Sequence, residues 1–232
     1  MIELTDFPKL ESPFIRKEYK VSEETWRKHG KRYQLRGPDV YLVTDEIDPK
    51  YSWVFDDPTT IAVEKLDGSN TKLLVKDGRL ESLYNRKNPI DPLNILSRGR
   101  GHFVEGIFQA IAKGWVEDNK EQAGELMGPK LQGNPYDLIG HIWYPFDRTI
   151  TALAYKSWIN QERTYENISS WMDKALKSRF YIKHHKTSFD DAPYAEGVIF
   201  YNLKRRDENK SWRCKLRRDM YAWYYEDLDI IF

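Results

Sequence analysis

The alternation of apolar and polar positions marks out a few clear elements along the chain. Ile61-Ala62-Val63-Glu64 is a short apolar run and predicts a strand ending at Lys65. Thr71 to Val75 and Leu80 to Tyr84 are two further strand-like runs. Between them Lys76-Asp77-Gly78-Arg79 predicts a hairpin, because Asp-Gly accepts the positive φ of a two-residue turn. In the second half of residues 93–113, Phe103, Ile107, Phe108 and Ile111 predict one core-facing helical stripe, with Gly99 and Gly101 weakening its start. A second helix is expected from Glu166 to Lys177, with Ile168, Trp171, Met172, Ala175 and Leu176 on its apolar face. His141 to Asp147 reads as an aromatic-rich strand, and Ala195 to Asn202 and Ser211 to Arg217 as two strands joined by a polar turn. Residues 1–60 are rich in prolines and aromatics with few regular periods, and predict loops and short strands wrapping the rest. Strands and helices mix without the strict alternation of a doubly wound fold, which predicts an α+β chain of mainly antiparallel sheets with flanking helices.

Composition narrows this picture. A length of 232 residues is enough for one large domain, and 40% apolar and 14% aromatic residues supply its core. The expectation is a single domain over 1–232, with 1–60 as its N-terminal wrap. No apolar run approaches the ~18–20 residues of a membrane span, so no membrane partner is expected. The N-terminus, Met1-Ile2-Glu3-Leu4-Thr5-Asp6, lacks the basic-then-apolar order of a signal peptide. The single cysteine, Cys214, excludes an internal disulfide framework, argues against a cysteine-based zinc site, and suits a reducing compartment such as the cytoplasm. Net charge is +1, so the molecule is no polycation. Lys204-Arg205-Arg206 and Arg213-Cys214-Lys215-Leu216-Arg217-Arg218 nonetheless cluster with Tyr201 and Trp212, as a solvated strand pair or a phosphate-binding surface.

Lys65 opens the question of chemistry. It stands at the end of an apolar strand and before the tight turn Leu66-Asp67-Gly68. Free lysine titrates near ~10.4, so a nucleophilic lysine needs burial or nearby positive charge to become neutral. A nucleotide site would supply such charge, and would also need carboxylates for metal, cations for phosphate and an aromatic ring for the base. Candidates follow in order: Arg86 after Ser82-Leu83-Tyr84-Asn85, Glu125 within Gly124-Glu125-Leu126-Met127-Gly128-Pro129, Tyr144 and Phe146 in His141-Ile142-Trp143-Tyr144-Pro145-Phe146-Asp147, and Glu196 before Gly197-Val198-Ile199. Arg213, Lys215 and Arg217 alternate onto one strand face, and Cys214 falls on the other as a buried thiol. His141 reads as an ordinary strand histidine, and His184-His185 as an exposed basic patch rather than a metal site.

This ordered set resembles the covalent nucleotidyltransferases, the superfamily of ATP-dependent DNA ligases, RNA ligases and mRNA capping enzymes. Lys65-Leu66-Asp67-Gly68 matches motif I, Arg86 the arginine after it, Glu125 motif III, Phe146 motif IIIa, Glu196-Gly197-Val198-Ile199 motif IV and Lys215-Leu216-Arg217 motif V. The match covers roughly residues 60–218. Ser69-Asn70 after the motif I glycine, Gly-Glu-Leu-Met-Gly-Pro around Glu125, and Gln132-Gly133-Asn134-Pro135-Tyr136 look like the RNA ligase 2 branch.

The resemblance implies a nucleotidyltransferase (ATP-grasp-like ligase) fold, with ATP and Mg2+ or Mn2+ as cofactors and RNA 5′-phosphate and 3′-OH ends, possible at a nicked duplex, as substrate. It implies that Lys65 carries AMP and that Asn70 serves the RNA-sealing steps. Glu125 and Glu196 would contact ribose or metal, Arg86 ribose or phosphate, and Lys215 and Arg217 the α-phosphate. Phe146 would stack on adenine, with Tyr144, expected on the same strand face, as its rival. The backbone around Glu64 would read the adenine edge. Only about fifteen residues follow Arg217, which predicts no C-terminal accessory domain and leaves room for a protein partner in its place. Arginine stands where motif V usually has lysine, so a register using Arg213 and Lys215 is the alternative. The competing functions are a minimal DNA ligase, a general polynucleotide adenylyltransferase, and an inactive nucleic-acid-binding homologue.

Overall fold

A computed structural model describes residues 9–91, 99–205 and 212–231. The acidic N-terminus Met1 to Asp6, the first part of the 93–113 stretch, Arg206 and Ser211 lie outside the described residues. In chain order the elements are β1 (Phe14–Val21), α1 (Glu23–His29), β2 (Asp39–Ile47), α2 (Trp53–Asp56), β3 (Thr60–Lys65), β4 (Ser69–Lys76), β5 (Arg79–Asn85) and β6 (Asn88–Ile90). They continue with α3 (Gly101–Ala112), β7 (Lys120–Met127), β8 (Ile142–Pro145), α4 (Phe146–Ala152), α5 (Tyr165–Lys174), α6 (Arg179–His185), β9 (Gly197–Asn202), β10 (Arg213–Arg217) and β11 (Ile230–Ile231). Among the described residues no helix is long and apolar enough to cross a membrane.

The chain divides into two units. One, the hairpin unit, holds Leu66–Ala154 and Lys183–His185. The other, the lysine unit, holds Leu10–Lys65, Tyr155–Ile182 and Lys186–Phe232. Helices and antiparallel sheets mix in both, as the sequence pattern predicts.

In the lysine unit two three-stranded sheets form, ordered β11-β1-β2 and β10-β9-β3, with antiparallel pairings throughout. The inner face of β10-β9-β3 presents Ala62, Val198, Phe200, Cys214 and Leu216 to Ile168, Trp171 and Met172 of α5. Trp158 is fully buried in the same core, and its indole N–H donates to the carbonyl of Thr60 at 3.1 Å, as buried indoles usually do. Helix α5 begins at an N-capping threonine, Thr164, whose hydroxyl accepts from Asn167 N. It ends at Lys174, short of the predicted Lys177. The reason is a competing ladder: Ala195 N donates to Leu176 O at 2.9 Å, and Lys177 bridges to Tyr194, so Leu176 and Lys177 are drawn out of the helix.

Residues 9–60 are more regular than their sequence suggests. β1 and β2 are eight and nine residues long and pair with each other. Their small core joins Val21, Val40 and Leu42 to Tyr225 and Leu228, near the far end of the chain. The period is hard to read because β1 buries only its two terminal residues, Phe14 and Val21.

In the hairpin unit five antiparallel strands run in the order β6-β5-β4-β7-β8. The Asp-Gly turn forms as predicted, with Lys76 opposite Arg79 and positive φ at Asp77 (49°) and Gly78 (73°). Leu73, Val75, Leu83, Leu126 and Trp143 meet Phe103, Ile107 and Ala110 of α3. The predicted stripe of α3 is therefore rotated. Phe103 and Ile107 are core residues, but Phe108 is 66% and Ile111 46% exposed. Positions 103, 106, 107 and 110 form the tighter helical face, and small residues at 106 and 110 let the helix settle there.

Candidate active site

The nine residues expected at the site divide between the units. Glu64, Lys65, Glu196, Lys215 and Arg217 belong to the lysine unit, and Asn70, Arg86, Glu125 and Phe146 to the hairpin unit.

In the lysine unit, antiparallel register places Lys65 and Arg217 on either side of Gly197. A side chain at Gly197 is excluded: a Cβ there would lie 2.2 Å from the carbonyl oxygen of Leu216 and 2.7 Å from the Cα of Arg217. The strands thus close tightly where Lys65 and Arg217 emerge. Glu196, one residue before Gly197, takes a hydrogen bond from the Lys65 ammonium through Oε2, and its Oε1 lies 3.7 Å from Arg217 Nη1. The Lys65 and Glu196 side chains are 20% and 21% exposed, so the pair is open enough for a ligand to reach.

Lys215 and Arg213 lie two and four residues back along β10, opposite Ile199 and Tyr201. At ~3.3 Å per residue Arg213 is ~13 Å from the Lys65 row. Burial along β10 alternates as expected, with Cys214 and Leu216 fully buried. Burial pushes the Cys214 thiol well above its usual range, as befits a structural cysteine.

Two members of this group were missed by sequence reasoning. Asp219 accepts from Arg217 Nη2 at 2.9 Å. Burial raises its carboxyl above the usual range, against the opposing pull of Arg217. Arg16, from β1, is close enough for its charge to act on Asp219 and Arg217. Asp219 could have been suspected from its place two residues after Arg217; nothing local marks Arg16.

The Glu64 side chain has a different employment. It is 2% exposed, accepts from Ser178 Oγ at 2.6 Å and Phe180 N at 2.7 Å, and so ties β3 to the start of α6. Burial, partly offset by these hydrogen bonds, pushes its carboxyl up to about 7.

In the hairpin unit Asn70, Glu125 and Tyr144 form one cross-strand row over β4, β7 and β8, and so share a sheet face. Glu125 is buried. Asn70 Oδ1 is buried and has no hydrogen-bond partner among the described residues. Arg86 occupies the two-residue β5–β6 turn with φ 55°, and its N–H donates to Asn70 O at 3.0 Å. Gly68 again admits no Cβ, which would fall 2.2 Å from Leu126 O and 3.1 Å from Glu125 Cγ. The Asp-Gly turn is thereby pressed onto β7 beside Glu125.

Phe146 is not on the strand. β8 stops at Pro145 and Phe146 is the first residue of α4, so Phe146 and Tyr144 do not share a strand face. Proline cannot donate to a continuing ladder, and its extended conformation opens the helix instead. Tyr144 is buried with its ring edge-on to Trp115 at 5.0 Å. His141 is structural: Nδ1 pairs with Glu105 at 2.6 Å while Nε2 accepts from Lys130 N at 3.3 Å. His184 and His185 are exposed, as expected.

Among the described residues no cluster of three or more His, Cys, Asp or Glu side chains could hold a metal ion. Magnesium bound through one or two carboxylates and a nucleotide's phosphates needs no such cluster. Glu196 in the lysine unit and Glu125 in the hairpin unit are each a carboxylate of that kind, so each fits the donor chemistry by itself.

No family model and no curated protein matches the chain. Among solved structures it is similar to Naegleria gruberi RNA ligase. A mutant of that ligase with ATP and Mn matches at 18% identity and TM-score 0.44, over 72% of this chain and 51% of that one. The ligase with PPi matches at 18% identity and TM-score 0.44, over 72% and 50%. An apo mutant matches at 13% identity and TM-score 0.46, over 95% and 63%. In the first two the chain spans about half the length of the structure it matches.

Proposed function

We propose that the chain is an ATP-dependent RNA ligase that works through a lysyl-AMP intermediate. The observation that carries this reading is the row Lys65–Gly197–Arg217, with Glu196 between the two cations. It supplies a nucleophile, a carboxylate and a phosphate-binding guanidinium at one crowded strand crossing.

In the first step the neutral amine of Lys65 attacks the α-phosphorus of ATP. A P–N bond forms, the bond to the β-phosphate bridging oxygen breaks, pyrophosphate leaves, and the amine proton passes to solvent. Glu196 must give up Lys65 for this, and a bound triphosphate carries the charge that competes for it. Arg217 and Lys215 stabilise the charge on the α-phosphate oxygens. Glu196 of the lysine unit and Glu125 of the hairpin unit are each a carboxylate that would hold a divalent ion, which would supply Lewis-acid polarisation of the phosphate when bound.

In the second step an oxygen of an RNA 5′-phosphate attacks the same phosphorus, and the P–N bond breaks to return the lysine. In the third a 3′-hydroxyl attacks the activated 5′-phosphate, AMP leaves, and the strand is sealed. Asn70, with its unpartnered buried Oδ1, offers an acceptor to an RNA hydroxyl during sealing. The motif V pair is read as Lys215 and Arg217, supported by the placement of Arg217 in the Lys65 row and of Arg213 two positions beyond Lys215. Glu125 and Arg86 are assigned to ribose and phosphate, Phe146 to the adenine, and the backbone of Glu64 to the adenine edge.

The test is transfer of label from α-labelled ATP to the protein with magnesium or manganese. Wild type is expected to take up label and Lys65→Ala to take up none; label persisting in that variant overturns the assignment. Nicked RNA, single-stranded RNA and nicked DNA then rank the substrates, and preferential sealing of DNA would replace the RNA reading with that of a minimal DNA ligase.

A further inference from the structure

We propose that the segment from Gly128 to Gly140 is a brace for the turn that follows Lys65, with Tyr136 and Gln132 as its positioning residues. The proposal rests on the ligase reading for its consequence and on hydrogen bonds for its existence. Tyr136 is 3% exposed, and its hydroxyl accepts from the N–H of Asp67 at 2.8 Å, across 69 residues of chain. Gln132 Nε2 donates to the carbonyl of Gly68 at 3.3 Å. An N–H and a carbonyl of the same tight turn are thus held by one segment. Gly68 is already pressed against β7, where a Cβ would meet Leu126 O at 2.2 Å, so the turn is fixed from two directions.

The brace is itself held in shape. Asn134 closes a small loop, donating from Nδ2 to Leu138 O and accepting from Leu138 N, both at 3.0 Å. A ring nitrogen of His185 lies 2.8 Å from the carbonyl oxygen of Tyr136. Lys130 N bonds to His141, which Glu105 orients. Gln132, Asn134 and Asp137 all adopt positive φ, at 48°, 55° and 48°. Such conformations persist where the surroundings over-determine them, and here they aim Gln132 and Tyr136 at the turn.

The consequence is kinetic. Attack by the lysine amine needs its nitrogen held near ~3–3.5 Å from phosphorus and in line with the leaving group. A turn free to rock would sample that geometry less often while leaving ATP binding intact. Tyr136→Phe keeps the ring and removes only the acceptor. We expect the rate of label transfer at saturating ATP to fall about tenfold or more, with KM for ATP changed by less than about twofold and the melting temperature little moved. The Asp67 amide, followed by hydrogen exchange, should lose protection.

A wild-type transfer rate in Tyr136→Phe, or unchanged exchange at Asp67, overturns the brace. So does a loss of rate that comes only with a matching loss of melting temperature, which would mark Tyr136 as a mere fold residue. If Tyr136→Phe does not fold, Gln132→Ala at an exposed position replaces it; a smaller slowing with KM unchanged supports the brace, and a wild-type rate overturns it. If the wild type itself takes up no label, the ligase reading fails, and exchange at Asp67 alone decides the brace.

Discussion

In the sheet β10-β9-β3 the row Lys65–Gly197–Arg217 carries two cations, and Glu196 beside the row is bonded to Lys65 and lies near Arg217. In the sheet β6-β5-β4-β7-β8 the row Asn70–Glu125–Tyr144 is more deeply buried, and its surroundings are held by backbone bonds such as Arg86 N to Asn70 O. Partly exposed ion pairs add little stability, with a median of about 0–1 kcal/mol, and they exchange partners readily. Buried backbone-anchored rows are stable and hard to alter. The lysine unit therefore places changeable contacts where the proposed reaction needs them, and the hairpin unit presents a more buried polar row.

Four substitutions test this contrast. The largest effect is expected at Glu64, the buried neighbour of the open pair. Its folded-state pKa of about 7 lies above the ordinary 4.5, so the folded protein binds this proton more tightly than the unfolded chain does. The resulting stabilisation is complete below about pH 4 and is lost as pH rises through 7, amounting to about 3 kcal/mol. Glu64→Gln, permanently neutral and similar in shape, should remove that decline. Denaturant unfolding at pH 4 and pH 8 measures it, and an equal decline in both proteins would rule out Glu64 as its source.

Next comes Arg217→Ala, expected to slow lysyl-AMP formation ~100-fold, in line with loss of one electrostatic donor, while denaturant stability changes little. A large stability loss would contradict the view of the ion-paired row as changeable. Gly197→Ala should destabilise by about 2 kcal/mol through overpacking against Leu216, read from the denaturation midpoint. The smallest effect is expected for Asn70→Ala: self-adenylylation near the wild-type rate and sealing slowed about tenfold, or ~1.4 kcal/mol. Sealing at the normal rate would remove Asn70 from the RNA-joining steps.

Much of the scaffold was legible because it depends on near neighbours. The strand ending at Lys65, the Asp77-Gly78 hairpin and the alternation of Arg213, Lys215 and Arg217 around buried Cys214 each follow from local turn chemistry or the period of two. Less legible was anything that depended on which face a neighbouring element covered. Phe108 and Ile111 fit an apolar stripe yet face outward, since the small residues Gly106 and Ala110 set the packed face of α3. Phe146 continued an aromatic pattern, but Pro145 ended the strand before it.

The order of the candidate motifs, the residue types at each, and the short strands and turns that carry them are all local. Those are properties of neighbouring residues, encoded in side-chain period and backbone preference. Folding alone puts Lys65 and Arg217 in one row across Gly197, joins Asp219 and Arg16 to the charges around it, and bonds Glu64 to Ser178 across 114 residues. It likewise sets Tyr136 on the amide of Asp67. Those pairings depend on strand register and on which distant polar groups are buried together, where each donor must find an acceptor.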